Sequence, residues 1–177
     1  MSSNSHILVI DNNKDTLMEL EFDLIEAGYT VLAASSGEQA LALMSKQTVD
    51  LVLVEMNIPN ISGMRVLAEV LKKRVMSIPV LMMSSFENEA DIIEALDAGA
   101  EDYISKPYLK QVLLVRIRNA LRLKDKTHTL ESLLRTDSLT HINNRVGYEE
   151  QANKVLSHAK RNAHFSAVAM LYIDHFK

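Results

Sequence analysis

Residues 49–63 read VDLVLVEMNIPNISG, and the architecture of the whole chain can be worked out from this stretch. Residues 51–54 form an unbroken branched apolar run, which is typical of a strand covered on both faces in a parallel sheet. Glu55 follows where the run stops, and Pro59 and Gly63 break the chain before a helical pattern begins. By itself Glu55 could be an ordinary polar residue at a strand end. It also stands where doubly wound sheets bind ligands.

The same alternation of apolar runs and helical patterns recurs on both sides of this stretch. Further strands are predicted at 6–10, 29–34, 79–83 and 102–104, each followed by a helix. Gly28 is predicted to end the first helix in the left-handed conformation, and Ser36 with Gln39 forms the pattern of a capping box. The alternation predicts an α/β fold with a doubly wound, five-stranded parallel sheet between two helical layers.

Composition excludes several classes of protein. The 177 residues are 47% hydrophobic and 24% charged, as expected for a globular protein with one well-buried domain and part of another. A net charge of −4 gives no general reason to bind nucleic acid or an anionic membrane. The absence of cysteine excludes disulfides and thiolate catalysis. Without a signal-peptide pattern or a membrane-length apolar run, we expect a cytoplasmic protein with neither nucleic-acid nor membrane partners.

Polar residues stand at the carboxyl ends of four predicted strands. They are Asp11, Glu55, Ser84 and Lys106. The carboxyl ends of parallel strands share one edge, so two carboxylates, a hydroxyl and an ammonium group are expected to converge there. Carboxylates suit Mg²⁺, and the other two groups suit phosphoryl oxygens. Individually, Asp11 could cap the next helix, Ser84 could be a turn residue and Lys106 could be solvated.

The motifs around these residues resemble the receiver domain of bacterial two-component response regulators. The resemblance covers roughly residues 5–123 and rests on ILVID (7–11), DLVL (50–53), MNIP (56–59), PVLMMS (79–84) and AGAEDYISKP (98–107). It implies a flavodoxin-like sheet of order 2-1-3-4-5. It also implies a histidine kinase or other signalling protein as partner, and Mg²⁺ as cofactor. In that family the kinase phosphorylates an aspartate at the end of the third strand.

The resemblance also implies roles by position. Glu55 stands at the phosphoacceptor position, while Asp11 and Asn12 stand at the acidic pair that holds the metal. Asn57 falls on the residue whose backbone carbonyl binds the metal. The remaining matches are the switch hydroxyl, the switch aromatic and the phosphoryl-binding lysine: Ser84, Tyr103 and Lys106. The implied metal site is therefore Asp11, Glu55 and Asn57, and no residue is predicted to be catalytic.

Two of these positions depart from the family pattern. Glu55 replaces the acceptor aspartate, and its extra methylene moves the carboxylate outward by more than ~1 Å, into the space of metal or phosphoryl. Asn12 replaces the second acid and removes a negative charge from the metal site, so Mg²⁺ binding is predicted to be weak or absent. Glu55 could be phosphorylated, mimic phosphate, or pair inertly with Lys106.

The residues after 107 predict a long helix and a second, incomplete α/β domain. Leu123, Leu130 and Leu133 have the spacing of a coiled-coil seam, although a solvated connector helix fits equally well. Residues 136–148 and 167–177 resemble the opening of a GGDEF domain, the diguanylate cyclase fold. His141 replaces its usual glycine, and Tyr172 replaces its metal-binding aspartate. The signature hairpin is absent from the 177 residues, so no cyclase activity is expected.

These observations predict a receiver domain at 1–123, a connector helix at 124–136 and a GGDEF fragment at 137–177. The predicted function is a response regulator-type signalling protein of a phosphorelay, with an atypical receiver coupled to an incomplete diguanylate cyclase-like output. It is expected to be a homodimer. The alternative is a receiver that acts without phosphorylation and serves for dimerisation or docking. A haloacid-dehalogenase-like phosphatase would need an aspartate where Asn13 stands, and an FMN-binding flavodoxin would need a Ser/Thr/Gly-rich first turn.

Overall fold

The computed structural model describes residues 5–72, 78–85, 88–137 and 139–162, together with the single positions 165, 167 and 169. The chain divides into two compact units, Met1–Lys126 and Thr127–Lys177. No helix within the described ranges is long and apolar enough to cross a membrane.

A five-stranded parallel sheet forms the centre of the first unit, with strand order β2-β1-β3-β4-β5. Its strands are β1 (His6–Ile10), β2 (Thr30–Ala34), β3 (Leu51–Glu55), β4 (Val80–Ser84) and β5 (Asp102–Ser105). Both β3 and β4 are buried along their whole length, which is why they read as unbroken apolar runs. The predicted sheet, its order and its parallel direction are confirmed.

Helices cover both faces of this sheet. They are α1 (Lys14–Glu26), α2 (Gly37–Lys46), α3 (Gly63–Lys72), α4 (Glu89–Asp97) and α5 (Lys110–Arg135). Alternate side chains of the central strands point to opposite faces, so the core is divided in two. Leu8 and Val54 belong to one cluster, while Val9 and Leu53 belong to the other. The predicted three-layer arrangement is therefore observed.

Local signals placed most helix ends correctly, with small differences. Gly28 has the expected left-handed conformation, with φ of 89°. Ser36 accepts the N–H of Gln39 at 3.2 Å. The Gln39 side chain, however, accepts the N–H of Ser35 rather than that of Ser36, so only half of the capping box forms as predicted. The helix expected near Tyr108 begins at Lys110.

The second unit contains the end of α5 and the helix α6 (Arg145–Asn162). The side chain of Asn144 joins them: its amide donates to the carbonyl of Leu134 at 2.9 Å, and its oxygen accepts the N–H of Gly147 at 3.1 Å. The side chain of Asn144 thus bonds a backbone carbonyl in the last turn of α5 and a backbone N–H in the first turn of α6. The GGDEF-like stretch 167–177 lies outside the described residues except for the single positions 167 and 169, and Tyr172 is among those outside.

Candidate functional site

Lys106 lies between two buried carboxylates at the carboxyl edge of the sheet. Its Nζ is 2.6 Å from Asp11 Oδ2 and also contacts Glu55 Oε2. The side chains of Lys106, Asp11 and Glu55 are only 13%, 2% and 8% exposed. Three of the four strand-end groups predicted to converge therefore form one ionic cluster, which we call the Lys106 cluster.

The strand order accounts for this convergence. Asp11 follows β1 and Glu55 ends β3, and these two strands are neighbours in the sheet. Lys106 follows β5, and its N–H donates to the carbonyl of Ser84 at the end of β4 at 2.8 Å. The backbone of α3 approaches closely as well, because a Cβ added to Gly63 would lie 2.5 Å from the carbonyl oxygen of Glu55. Glycine is required at that approach.

Each carboxylate divides its two oxygens between Lys106 and its own loop. Asp11 Oδ1 accepts the N–H of Asn13 at 2.8 Å, and Glu55 Oε1 accepts the N–H of Asn57 at 3.3 Å. The second oxygen of each residue accepts from the ammonium group of Lys106. All four oxygens are thereby engaged, as buried charged groups require.

The electrostatics of the cluster favour a charged lysine. Burial acts to lower the pKa of Lys106, but the hydrogen bonds and negative charges of Asp11 and Glu55 outweigh it, so the pKa lies above its usual value. With both acids ionised, two carboxylates and one ammonium group leave a net charge of −1. The ammonium group thus supplies part of the neutralisation that a bound cation would otherwise provide.

The other predicted site residues are divided between the interior and the surface. Ser84 is fully buried at the end of β4, and Tyr103 is 7% exposed and packs within the core. Asn12 and Asn57 are exposed. Asn57 contacts the cluster through its main-chain N–H, which donates to Glu55. The functional roles of all these residues stay predictions.

The described residues do not fit a strong Mg²⁺ site. They contain no group of three or more His, Asp or Glu side chains arranged to hold a metal ion. Asp11 and Glu55 both direct an oxygen to Lys106. A divalent cation between these carboxylates would meet the ammonium charge at close range, and Asn12 offers no compensating negative charge.

Contacts between α1 and the start of α5 were not predicted from the sequence. Lys110 pairs with Asp23 at 2.7 Å and with Glu26, and its Nζ lies 5.8 Å from the ring centroid of Phe22. The Tyr108 hydroxyl is buried without a hydrogen-bond partner in the described structure. Burial, followed by the charges of nearby acids, raises its pKa. These contacts join residues far apart in sequence, so no local sequence pattern predicts them.

Comparisons with known proteins identify the family to which the fold belongs. The model of the response regulator receiver domain matches residues 7–118, and that of the diguanylate cyclase GGDEF domain matches residues 134–177. The transcriptional regulatory protein KdpE of Mycobacterium tuberculosis is 35% identical over 135 residues, which are 76% of this chain and 59% of that protein. The chain thus spans less than two thirds of this curated relative.

Solved structures give the same result. A response regulator receiver domain protein from Clostridium thermocellum is 31% identical, with a TM-score of 0.66, and the match covers 70% of this chain and 98% of that one. The signal receiver domain of an HD domain-containing protein from Pseudomonas fluorescens Pf-5 is 28% identical, with the same TM-score and the same coverage.

Proposed function

Because this chain belongs to the response regulator receiver family and carries a partial GGDEF match, we propose that it is a signalling module held in its signalling state by Glu55. In this proposal the carboxylate of Glu55 stands in for a phosphoryl group. The receiver then acts on the GGDEF-type segment without needing to be phosphorylated. A histidine kinase or another signalling protein is the proposed upstream partner.

The Lys106 cluster is the observation that carries the proposal. Glu55 reaches Lys106, the residue that binds the phosphoryl group in the receivers this chain resembles, and both side chains are largely buried. Tyr103 is buried at the same time. A charge-assisted contact of this kind can bias a two-state switch by ~1 to 3 kcal/mol, the usual size of an allosteric coupling.

Phosphoryl transfer to Glu55 has little support from the same geometry. The carboxylate is already engaged with Lys106 and with the N–H of Asn57. An attacking oxygen would have to leave these partners, and near-attack geometry tolerates displacements of about 1 Å poorly. With weak or absent Mg²⁺ as well, the charge on a transferring phosphoryl group would be poorly neutralised.

We propose self-association through the face formed by β5 and α5. A groove of about 860 Å³ lies along this face, lined by Glu101 and Asp102 on one side and by Val112, Val115, Arg116 and Lys126 on α5 among others. Acids and bases on one face can pair across a two-fold axis, and isologous dimers are the commonest closed assembly. Leu123, Leu130 and Leu133 continue along the same helix and are 51%, 62% and 66% exposed.

For the GGDEF segment we propose no cyclase activity in these 177 residues. Charge neutralisation of a triphosphate needs metal-binding acids, and a phenol at Tyr172 is neutral near pH 7 because its ordinary pKa is about 10. The proposed boundaries are a receiver at 1–123, a connector at 124–136 and a GGDEF fragment at 137–177. Cyclic di-GMP made by the purified chain from GTP and Mg²⁺ would refute the proposed lack of cyclase activity.

Acetyl phosphate tests the proposal at the receiver. The native chain is compared with Glu55→Asp and with the double variant Asn12→Asp/Glu55→Asp, and phosphorylated protein is counted by intact mass. We expect no acyl phosphate on the native chain and a clear yield from the double variant, which restores both family acids. Efficient phosphorylation of native Glu55 would contradict the proposal.

A further inference from the structure

Lys124 lies on the face of α5 that packs against the core, at a position where an apolar residue would be expected. Leu113, Ile117 and Ala120 on this face are 0%, 0% and 5% exposed. Helical spacing of four and three residues places them in one stripe, and Lys124 is the next position in it. The Lys124 side chain is only 10% exposed, so its ammonium group needs partners of its own.

Asp50, the residue before β3, supplies those partners. Lys124 Nζ donates to Asp50 Oδ1 at 2.6 Å and to the Asp50 carbonyl oxygen at 3.2 Å. Asp50 is itself held by the first residue of β1. Its Oδ2 accepts the N–H of His6 at 2.9 Å, and its own N–H donates to the carbonyl of His6 at 2.8 Å. This tie lies at the amino-terminal edge of the sheet, opposite the Lys106 cluster.

We propose that Asp50 and Lys124 are a positioning pair that fixes the position and rotation of the end of α5 within the first unit. Apolar contacts such as those of Ile117 are non-directional, so a helix can slide or turn slightly with little loss of burial free energy. An ammonium group with two acceptors on one residue does not, because hydrogen bonds weaken steeply away from their preferred length and angle. Lys124 is also the last residue of α5 in the first unit whose side chain is not exposed.

The consequence concerns the exposed leucines farther along the same helix. Lys124 sets the helical phase in which Leu130 and Leu133 follow, six and nine residues farther along the continuous α5. In this respect the inference rests on the proposed self-association, which needs these leucines on one face. The position of the helix itself can be measured independently of any dimer.

Pulsed electron paramagnetic resonance measures that position directly. The chain has no cysteine of its own, so nitroxides are attached through Gln47→Cys and Lys126→Cys, two exposed positions of the first unit. Labelled protein is diluted with an excess of unlabelled chain, so that only distances within one molecule are seen. We expect a narrow distance distribution in the otherwise native chain and a broadened or shifted one with Lys124→Met. Arg118→Met is the matched control, an exposed basic residue on the same helix, and should leave the distribution unchanged.

Each outcome decides the question. A Lys124→Met chain that loses stability but keeps the narrow distribution would show a merely structural ion pair and overturn the proposal. If that variant does not fold, Asp50→Asn makes the same comparison, because its amide oxygen can still accept the N–H of His6. Broadening in a chain that is monomeric by light scattering would contradict the proposed dimer while supporting the positioning pair.

Discussion

At the scale of single residues, Lys106 holds together two acids that would otherwise repel each other. Asp11 and Glu55 are both nearly buried, and desolvated like charges at close range are costly. The positive charge of Lys106 offsets this cost, and its ammonium group donates a hydrogen bond to each acid. A buried cluster of this kind adds little stability compared with an apolar core. Removing one of its partners, however, strongly destabilises the folded chain.

Lys106→Met should therefore destabilise the first unit strongly. Removing one partner of a buried ion pair leaves uncompensated charge and typically costs about 3 to 5 kcal/mol. Urea unfolding followed by circular dichroism measures the difference. Lys72→Met is the control, since Lys72 pairs with Glu69 at 3.0 Å with 64% of its side chain exposed, and such pairs contribute no more than about 1 kcal/mol. Equal effects of the two substitutions would show that the cluster is not electrostatically important.

The raised pKa of Lys106 predicts a dependence on alkaline pH. A group whose pKa is higher in the folded chain stabilises that chain fully below its ordinary pKa, and the contribution is lost as the pH rises through the folded value. For Lys106 the ordinary value is 10.5, so the loss begins above it. The difference in unfolding free energy between the native chain and Lys106→Met should stay constant from about pH 7 to pH 10. A difference that already shrinks within this range would contradict the assignment.

At the scale of elements, the turn between α5 and α6 contains a residue in an unfavourable conformation. His141 has φ of 58°, in the left-handed region where a Cβ costs about 1 to 2 kcal/mol. Its N–H donates to the carbonyl of Asp137 at 2.9 Å, which keeps the turn closed. Glycine is usual at the matching position of the GGDEF domains that this segment resembles, and the backbone conformation explains why.

His141→Gly should stabilise this turn. Relief of the left-handed strain is partly offset by the greater freedom of glycine in the unfolded chain, so we expect a gain of about 0.5 to 1 kcal/mol. Native-state hydrogen exchange of the residue 141 amide reports it as a severalfold rise in protection. Asn60→Gly is the control. Asparagine tolerates its φ of 67° at lower cost, so this substitution should raise the free energy of unfolding by less. Lower protection in His141→Gly would show that the imidazole itself holds the turn.

Sequence patterns predicted the elements well because the relevant signals are local. The buried strands β3 and β4 are short apolar runs, and the strand-end acids follow them directly. What the patterns could not supply was partner choice. Whether Glu55 pairs with Lys106 depends on side-chain reach across strands, and the Asp50–Lys124 tie joins residues 74 positions apart. Tyr172 carries a sequence-based prediction that no described residue tests.

At the scale of the whole molecule, the exposed leucines of α5 connect the receiver to its proposed assembly. A helix with four large apolar side chains more than half exposed, Leu123, Leu130, Leu133 and Leu134, carries an interaction surface or a solubility cost. Leu123, Leu130 and Leu133 have the spacing of a coiled-coil seam. Self-association is therefore the property of the full chain that this surface predicts.

Leu130→Glu combined with Leu133→Glu should weaken the dimer. Charges placed opposite each other in a helical seam repel, and the loss of apolar contact adds to this, so the dissociation constant should rise by about tenfold or more. Sedimentation equilibrium of the full chain measures it. Leu139→Glu is the control, since Leu139 is 86% exposed and lies outside the helices. A native chain that is monomeric at high micromolar concentration, with or without beryllofluoride, would exclude the assembly.

The phosphate-mimic claim is tested most directly by the position of the Tyr103 ring. The native chain, Glu55→Asp and Glu55→Gln are compared by nuclear magnetic resonance with the tyrosine rings labelled, first without a phosphodonor and then with beryllofluoride and Mg²⁺. Tyr103 is buried in the native structure. We expect the ring to stay buried in the native chain under both conditions and to turn outward in both variants without beryllofluoride. In Glu55→Asp it should return inward when beryllofluoride is added. The same Tyr103 environment in all three proteins before addition would contradict the claim that Glu55 sets the state of the receiver.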